Sequence, residues 1–584
     1  MEEVFNNEAE VEQESTDEEI VKQEEGKKDE IEQQGAEAEV VIAPQNCEIG
    51  PLSPEERVSE ALTIRIEAAQ AQADITLPNH PCNDDETRYP NKIASYSKGF
   101  PHNYLGEVDV TAYEAWINAL KSGDSQAFES LPIKGVTKLK NPQAAYAYNL
   151  IGADSHHLSI APAPEFSSAW EAAEMGELYW QALTRDVPFA EYDTNKWTRT
   201  AAADLSKFSD FRGPKGKDWG VQHPSVHTNK QVDGANPNLF TQSAPNPDVE
   251  ERVTTKTLFR GTTQGDLIGP YLSQFLCQKV DYGAASFFQK YHTAVPYRDY
   301  MTCYRSWLHI QNGGAAGKTV LDSTPRYIRN NRDLGEFVHK DFSYQACLSA
   351  GLMLLSYGQE ALAPSNPYVH SKTQYGFVTF GGPHILDLVG KAAQAALEAA
   401  WYQKFLVHLR LRPEEFGGRV HNVVRGNASY PINQELLRSY ALEVVQHRYG
   451  TALLPMAYAE GCPTHTAYPS GHACFVGAGV TMLKAFFNEN FIIPDPVVAT
   501  QNGLALCSYR GAKLTVGNEL NKLASNVALG RCAAGVHWRT DASEGMKLGE
   551  AVAISILQDF KNTYNEDFSG FTFKKFDGTT ITIK

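Results

Sequence analysis

No stretch of the 584 residues approaches the ~20 uninterrupted apolar residues that a membrane-crossing helix needs. The longest apolar runs, Ala346–Ser356 and Cys474–Phe487, are short and interrupted by polar residues, as core helices are. The first ten residues, MEEVFNNEAE, lack the basic start and apolar centre of a secretory signal. Nine cysteines are spread widely without CxxC spacing, which excludes a disulfide framework or a zinc ribbon. HExxH, GxSxG, and GxGxxG between a strand and a helix are also missing. No basic stripe marks a nucleic-acid surface. These absences predict a soluble protein with neither membrane nor nucleic acid as a partner, and favour the cytoplasm.

What is present is enough for a large core: 42% of residues are apolar and 11% aromatic, while 21% are charged. Wholesale disorder and coiled coil are excluded. The net charge of −18 is mostly local, because residues 1–40 hold sixteen Asp or Glu and three Lys. We read 1–50 as a disordered acidic tail, 51–250 as an N-terminal helical region and 251–584 as a C-terminal helical region carrying the chemistry. Amphipathic runs at 267–279, 330–357, 384–410, 433–448, 472–488, 517–529 and 542–562 predict a mainly α protein built of helical bundles, two four-helix-bundle-like cores with small β-hairpins. Asp577-Gly578 between β-prone segments predicts one hairpin at the C-terminus.

Asn312-Gly-Gly-Ala-Ala-Gly-Lys-Thr319 nearly spells a phosphate loop, but Asn312 stands where its first glycine belongs. It reads as a surface turn. Three other segments fit together. Leu388 to Arg410 reads as one long helix, ended near Arg412 by Pro413, which would place Lys404 and Arg412 ~12 Å apart and roughly 80° around its axis. Pro469-Ser470-Gly471-His472 precedes an apolar run, so Ser470 sits as an N-cap and the amides beyond it await an acceptor. A plain capped helix does not account for His472 just inside it. Gly530-Arg531 to His537 and Asp541 lies at a break between helices, where Arg531 offers a fork of donors and His537 an imidazole. Asp541 either orients His537 or caps the next helix. One Lys, two Arg, a hydroxyl, an amide and two His suit an oxyanion with equatorial oxygens and axial histidines, and do not suit a simple metal cation.

The pattern K-x7-RP, PSGH and R-x5-H-x3-D resembles that of the superfamily joining vanadium-dependent haloperoxidases to type-2 phosphatidic acid phosphatases and bacterial acid phosphatases. Beyond these motifs, most of residues 55–584 resembles red-algal and cyanobacterial vanadium bromoperoxidases. The similarity includes Leu258-Phe-Arg-Gly261, Gly269–Gln274, Leu453–Ala473, Thr515–Ala524 and Lys575–Thr580.

The resemblance implies that Lys404, Arg412, Ser470, Gly471 and Arg531 bind equatorial oxygens of vanadate(V), that His537 coordinates vanadium and that His472 serves as acid/base. Lys404 would polarise peroxide during halide attack, giving a hypohalous-acid equivalent that halogenates small organic acceptors. His465 matches a histidine that tunes halide use and points to bromide. Trp401 stands where red-algal enzymes carry Arg, as in brown-algal and fungal relatives. Asp299 is a lesser candidate for tethering a site arginine. Asn366–Tyr375 replaces an acidic calcium-binding segment and holds no carboxylate, so calcium is not expected. The implied assembly is a homo-oligomer, a dodecamer built from dimers. The alternatives are an acid phosphatase using the same site, with His537 as nucleophile, and a non-catalytic helical protein that binds through its acidic tail.

Overall fold

The computed structural model describes residues 50–217 and 251–584. The acidic segment up to residue 49 and residues 218–250 lie outside the described residues. By internal contacts the chain divides into Met1–Ile66 and Glu67–Lys584. In the first, a helix begins at Pro54, where Ser53 and Glu56 exchange backbone and side-chain hydrogen bonds in the predicted capping box. The rest concerns the second unit.

It is mainly helical, and its strands form short antiparallel pairs. The helices that position the site are α1 (Ala169–Thr184), α2 (Asn331–Lys340), α3 (Gln345–Ser356), α4 (Gly382–Tyr402), α5 (Pro413–Val424), α6 (Gly471–Phe486), α7 (Val516–Ala533) and α8 (Arg539–Lys561). At the C-terminus β1 (Phe571–Lys574) pairs with β2 (Thr580–Ile583) around the expected Asp577-Gly578 turn. Among the described residues, no helix is long and apolar enough to cross a membrane.

Helix α6 is the axis of the core. Every one of its residues except His472 is buried, which is why it reads as apolar on all faces. It packs against α4, α7 and α8. The α6–α8 contact is unusually close because glycines face backbone. A Cβ on Gly549 would sit 2.0 Å from the Cys474 carbonyl oxygen, and one on Gly477 would sit 2.5 Å from that of Met546. This approach brings the start of α6 onto the start of α8, and the Ser470 amide donates to the Asp541 carbonyl at 2.9 Å. Gly549→Ala should therefore destabilise the protein by about 1–3 kcal/mol, overpacking outweighing the ~1 kcal/mol gained in helix propensity. A lower denaturant midpoint would show it.

Two expectations are corrected here. Residues 267–279 form no α-helix, only a 3-10 turn at Gln274–Leu276, because Gly269 (φ +71°) and Pro270 break the run. The predicted long helix through Arg410 ends earlier: α4 passes into a π-turn at Gln403–His408, and Leu409 then turns left-handed at φ +47°. Arg410 to Arg412 run on as a link, and Pro413 starts α5 rather than ending α4.

Candidate oxyanion site

The π-turn sets the first cation. The Leu409 amide bonds back to the Lys404 carbonyl, and Lys404 Nζ donates to the carbonyls of Thr466 and Ala467, each at 2.8 Å. Lys404 and Arg412 thus do not share a helix. Arg412 is the N-cap of α5, held extended by the following proline. Its guanidinium donates to the His465 carbonyl (2.8 Å) and the Val536 carbonyl (2.6 Å). It also reaches His537 Nε2 (3.0 Å) and His465 Nδ1 (3.0 Å).

Ser470 caps α6 as expected, its Oγ accepting from the Ala473 amide. The amides of Gly471 and His472 fall in the first turn, where no intrahelical acceptor exists. Trp401 packs against this turn, 3.3 Å from where a Gly471 Cβ would be, and its ring meets that of His465 at a tilt, with centroids 4.9 Å apart. Arg531 lies in the last turn of α7, inside the helix rather than at the break, which follows at residues 534–538. It donates to the Val338 carbonyl at 2.6 Å and meets the Tyr458 hydroxyl at 3.3 Å, while its buried Nε has no partner.

His537 is fixed at both ring nitrogens. Nδ1 lies 2.7 Å from Asp541 Oδ2, which also accepts from the Trp538 amide at 3.0 Å. Asp541 therefore does both things proposed for it, orienting His537 and closing the first turn of α8, though from its third position and not as the N-cap. An Nδ1–H donor leaves Nε2 as the acceptor that meets Arg412. The structure also pairs His472 with a residue that sequence reasoning missed: its Nε2 lies 2.9 Å from Asp341, just past the end of α2. Lys-Asp-Phe at 340–342 carries no signal for that role. Asp299 does not hold a site arginine. It binds Arg185 (2.5 Å), Arg332 (2.9 Å) and the Tyr449 hydroxyl (2.6 Å), and neither arginine is among those read as oxyanion donors.

The electrostatics follow from burial. Lys404, Arg412 and Arg531 are buried, and none has a carboxylate within 4 Å among the described residues. Burial pushes the Lys404 ammonium well below the usual lysine range, and Arg412 and Arg531 add to the push. Burial, then Arg412, Lys404 and Arg531, keep His537 well below the usual histidine range, and His465 is lowered in the same way. His472 is the most exposed of the residues read as oxyanion donors or ligands, with 22% of its side chain accessible. Its ring is still lowered by burial, with Asp341 pulling the other way. Three uncompensated buried cations are costly unless an anion joins them. The unpartnered Arg531 Nε, the helix amides and an imidazole whose acceptor nitrogen lies among the cations fit a tetrahedral oxometalate. They do not fit a bare cation, which needs carboxylates or thiolates.

A helical protein with an anion cradle at a helix N-terminus and an imidazole as potential metal ligand is the class so defined. Residues 384–566 match the family model described as the VCPO second helical-bundle domain. A vanadium-dependent bromoperoxidase of Ascophyllum nodosum is 36% identical over 91% of this chain and 93% of its own length. One of Corallina officinalis is 33% identical over 86% of this chain and 92% of its own. The homohexameric second vanadate-dependent bromoperoxidase of Ascophyllum nodosum superimposes with a TM-score of 0.83 at 29% identity, covering 95% of both chains. The chain belongs to the vanadium-dependent haloperoxidase family.

Proposed function

We propose that this protein is a vanadate-dependent haloperoxidase that oxidises bromide with hydrogen peroxide to a hypobromous-acid equivalent, which then halogenates small organic acceptors. The observation that carries this reading is the set of three buried, carboxylate-free cations around a helix N-terminus and the acceptor nitrogen Nε2 of His537, which faces the Arg412 guanidinium. Lys404, Arg412, Ser470, Gly471, His472 and Arg531 would hold the oxygens of vanadate, and His537 would ligate its metal. Bound vanadium(V) supplies a Lewis acid that activates peroxide without changing its own oxidation state.

The chain's own residues do the rest. The cations draw anionic bromide toward the cavity. Lys404, anchored by two carbonyls, donates to the oxygen that takes up charge as the halide attacks. Converting peroxide, bromide and a proton to hypobromous acid and water consumes one proton per turnover. His472, the exposed member, is placed to deliver it at Nδ1, since Nε2 is held by Asp341. Trp401 and His465 form the adjoining wall, where halide preference would be set.

Asp341 raises His472 against the effect of burial. Asp341→Asn should therefore move the pH limb that reports His472 toward lower pH, and slow turnover at neutral pH by about 10-fold. A pH–rate profile of the vanadate-loaded enzyme checks both. The reading as a whole is tested by bromination of monochlorodimedone with peroxide. Activity should vanish on dialysis against phosphate and EDTA and return with vanadate. Turnover of p-nitrophenyl phosphate without any bromination would overturn the proposal.

We also infer a homo-oligomer, supported by the homohexameric relative. Light scattering reads its copy number, six for an assembly like that relative's and twelve for a dodecamer built from six dimers.

A further inference from the structure

Behind His537 lies a second, fully buried ionic cluster that takes no part in holding the oxyanion. Asp541 uses one oxygen for His537 and the Trp538 amide, and its other oxygen accepts from Arg410 Nη1 at 2.8 Å. Arg410 turns its other terminal nitrogen to α1, where Nη2 meets Glu171 at 2.5 Å and Glu174 at 3.0 Å. Glu174 in turn accepts from the Thr540 amide at 2.7 Å and from the Thr540 hydroxyl, which ties it to the residue before Asp541. The guanidinium also packs on the Trp538 ring at 4.8 Å. All four ionic side chains are at most 3% exposed.

A single arginine serving three buried carboxylates is more than helix packing requires. Replacing such a cluster with apolar residues often costs nothing, so its retention asks for a reason. The geometry supplies one. The carboxylate of Asp541 can rotate about its side-chain bonds, and the Arg410 fork on one oxygen, with the Trp538 amide on the other, holds it on His537 Nδ1.

We propose that Arg410, held by Glu171 and Glu174 of α1, is a positioning residue that locks Asp541 on His537 Nδ1 and so keeps Nε2 available as the ligand to vanadium. This inference rests on the vanadate reading above. It assigns a role in the site to helix α1, 239 residues before Arg410 in the chain.

The mechanism makes a selective prediction. Vanadium accepts a fifth ligand from an imidazole, whereas phosphate bound in its ground state needs only the cations and helix amides. Loss of the lock should therefore weaken vanadate far more than phosphate. The experiment uses the full chain and measures dissociation constants of vanadate and of inorganic phosphate by equilibrium dialysis. In Arg410→Gln, vanadate affinity should fall about 10- to 100-fold, the range for losing an outer partner of a metal-bound histidine. Phosphate affinity should stay within about 2-fold. In an Asp541→Asn background the same change should have little further effect, because the two residues act through one contact. Glu171→Gln, which keeps the side chain's shape, should weaken vanadate in the same selective direction and keeps the idea testable if Arg410→Gln does not fold. Equal losses for both anions, or none, would overturn the positioning role. A wild-type protein that fails to bind vanadate at all would instead overturn the functional reading beneath it.

Discussion

His537→Ala should give a folded protein that neither retains vanadate nor oxidises bromide, with turnover lowered by on the order of 10³-fold, at least the loss seen when one donor is removed from an oxyanion hole. The size follows from how completely His537 is prepared. Asp541 fixes the Nδ1–H tautomer, so the lone pair is at Nε2, where it faces Arg412. Burial and the surrounding cations hold the ring well below the usual histidine range, so it is neutral and able to ligate near neutral pH. Nothing nearby replaces it. His465 faces Arg412 and Trp401, and His472 is occupied by Asp341. Metal content after loading with vanadate, measured beside the bromination rate, checks the prediction. Full binding and full turnover in this variant would remove His537 from the site, and a protein that merely interacts through its tail would be indifferent to the change.

Lys404→Ala should lower turnover by about 10²- to 10³-fold, the effect of losing one preorganised donor, while weakening vanadate less. The ammonium is buried among other cations and anchored by two backbone carbonyls, so its position costs no reorganisation during reaction. Its removal also leaves the Thr466 and Ala467 carbonyls without their donor, a cost to stability of about 1–3 kcal/mol. Comparing the dissociation constant of vanadate with kcat separates the two effects. An unchanged kcat would refute the role given to Lys404.

The relation of sequence to site differs from residue to residue. Ser470 was legible as an N-cap because a small hydroxyl directly before an apolar helical run has few other uses, and the structure places it so. Arg531 and His537 stand out in the sequence for their guanidinium and imidazole, while Gly530 suggests a break and instead lies inside α7, where a Cβ would meet Leu334 and Val338 at 3.1 Å. The spacing of Lys404 and Arg412 suggests a single helix. A π-turn and a left-handed Leu409 separate them instead, and neither follows from local propensity.

Asp299 shows the opposite error. A lone acid near a suspected site suggests a tether, but packing gave it to Arg185 and Arg332. Asp341 and Arg410 carried no pattern at all. Their partners lie 131 residues away in each case, and only the stacking of helices brings them together.

The chain's order of residues settled by itself that the protein is helical, that its long apolar run would be a central helix, and which side chains have the chemistry to hold an oxyanion. Those are properties of local periodicity, capping and functional groups. The tertiary structure alone decided that the cations meet without carboxylates between them, that His472 is paired with Asp341, and that His537 is braced through Asp541 and Arg410 from a distant helix. Such choices depend on which faces touch after folding, and glycines at the α6–α8 contact set that approach to within a fraction of an ångström.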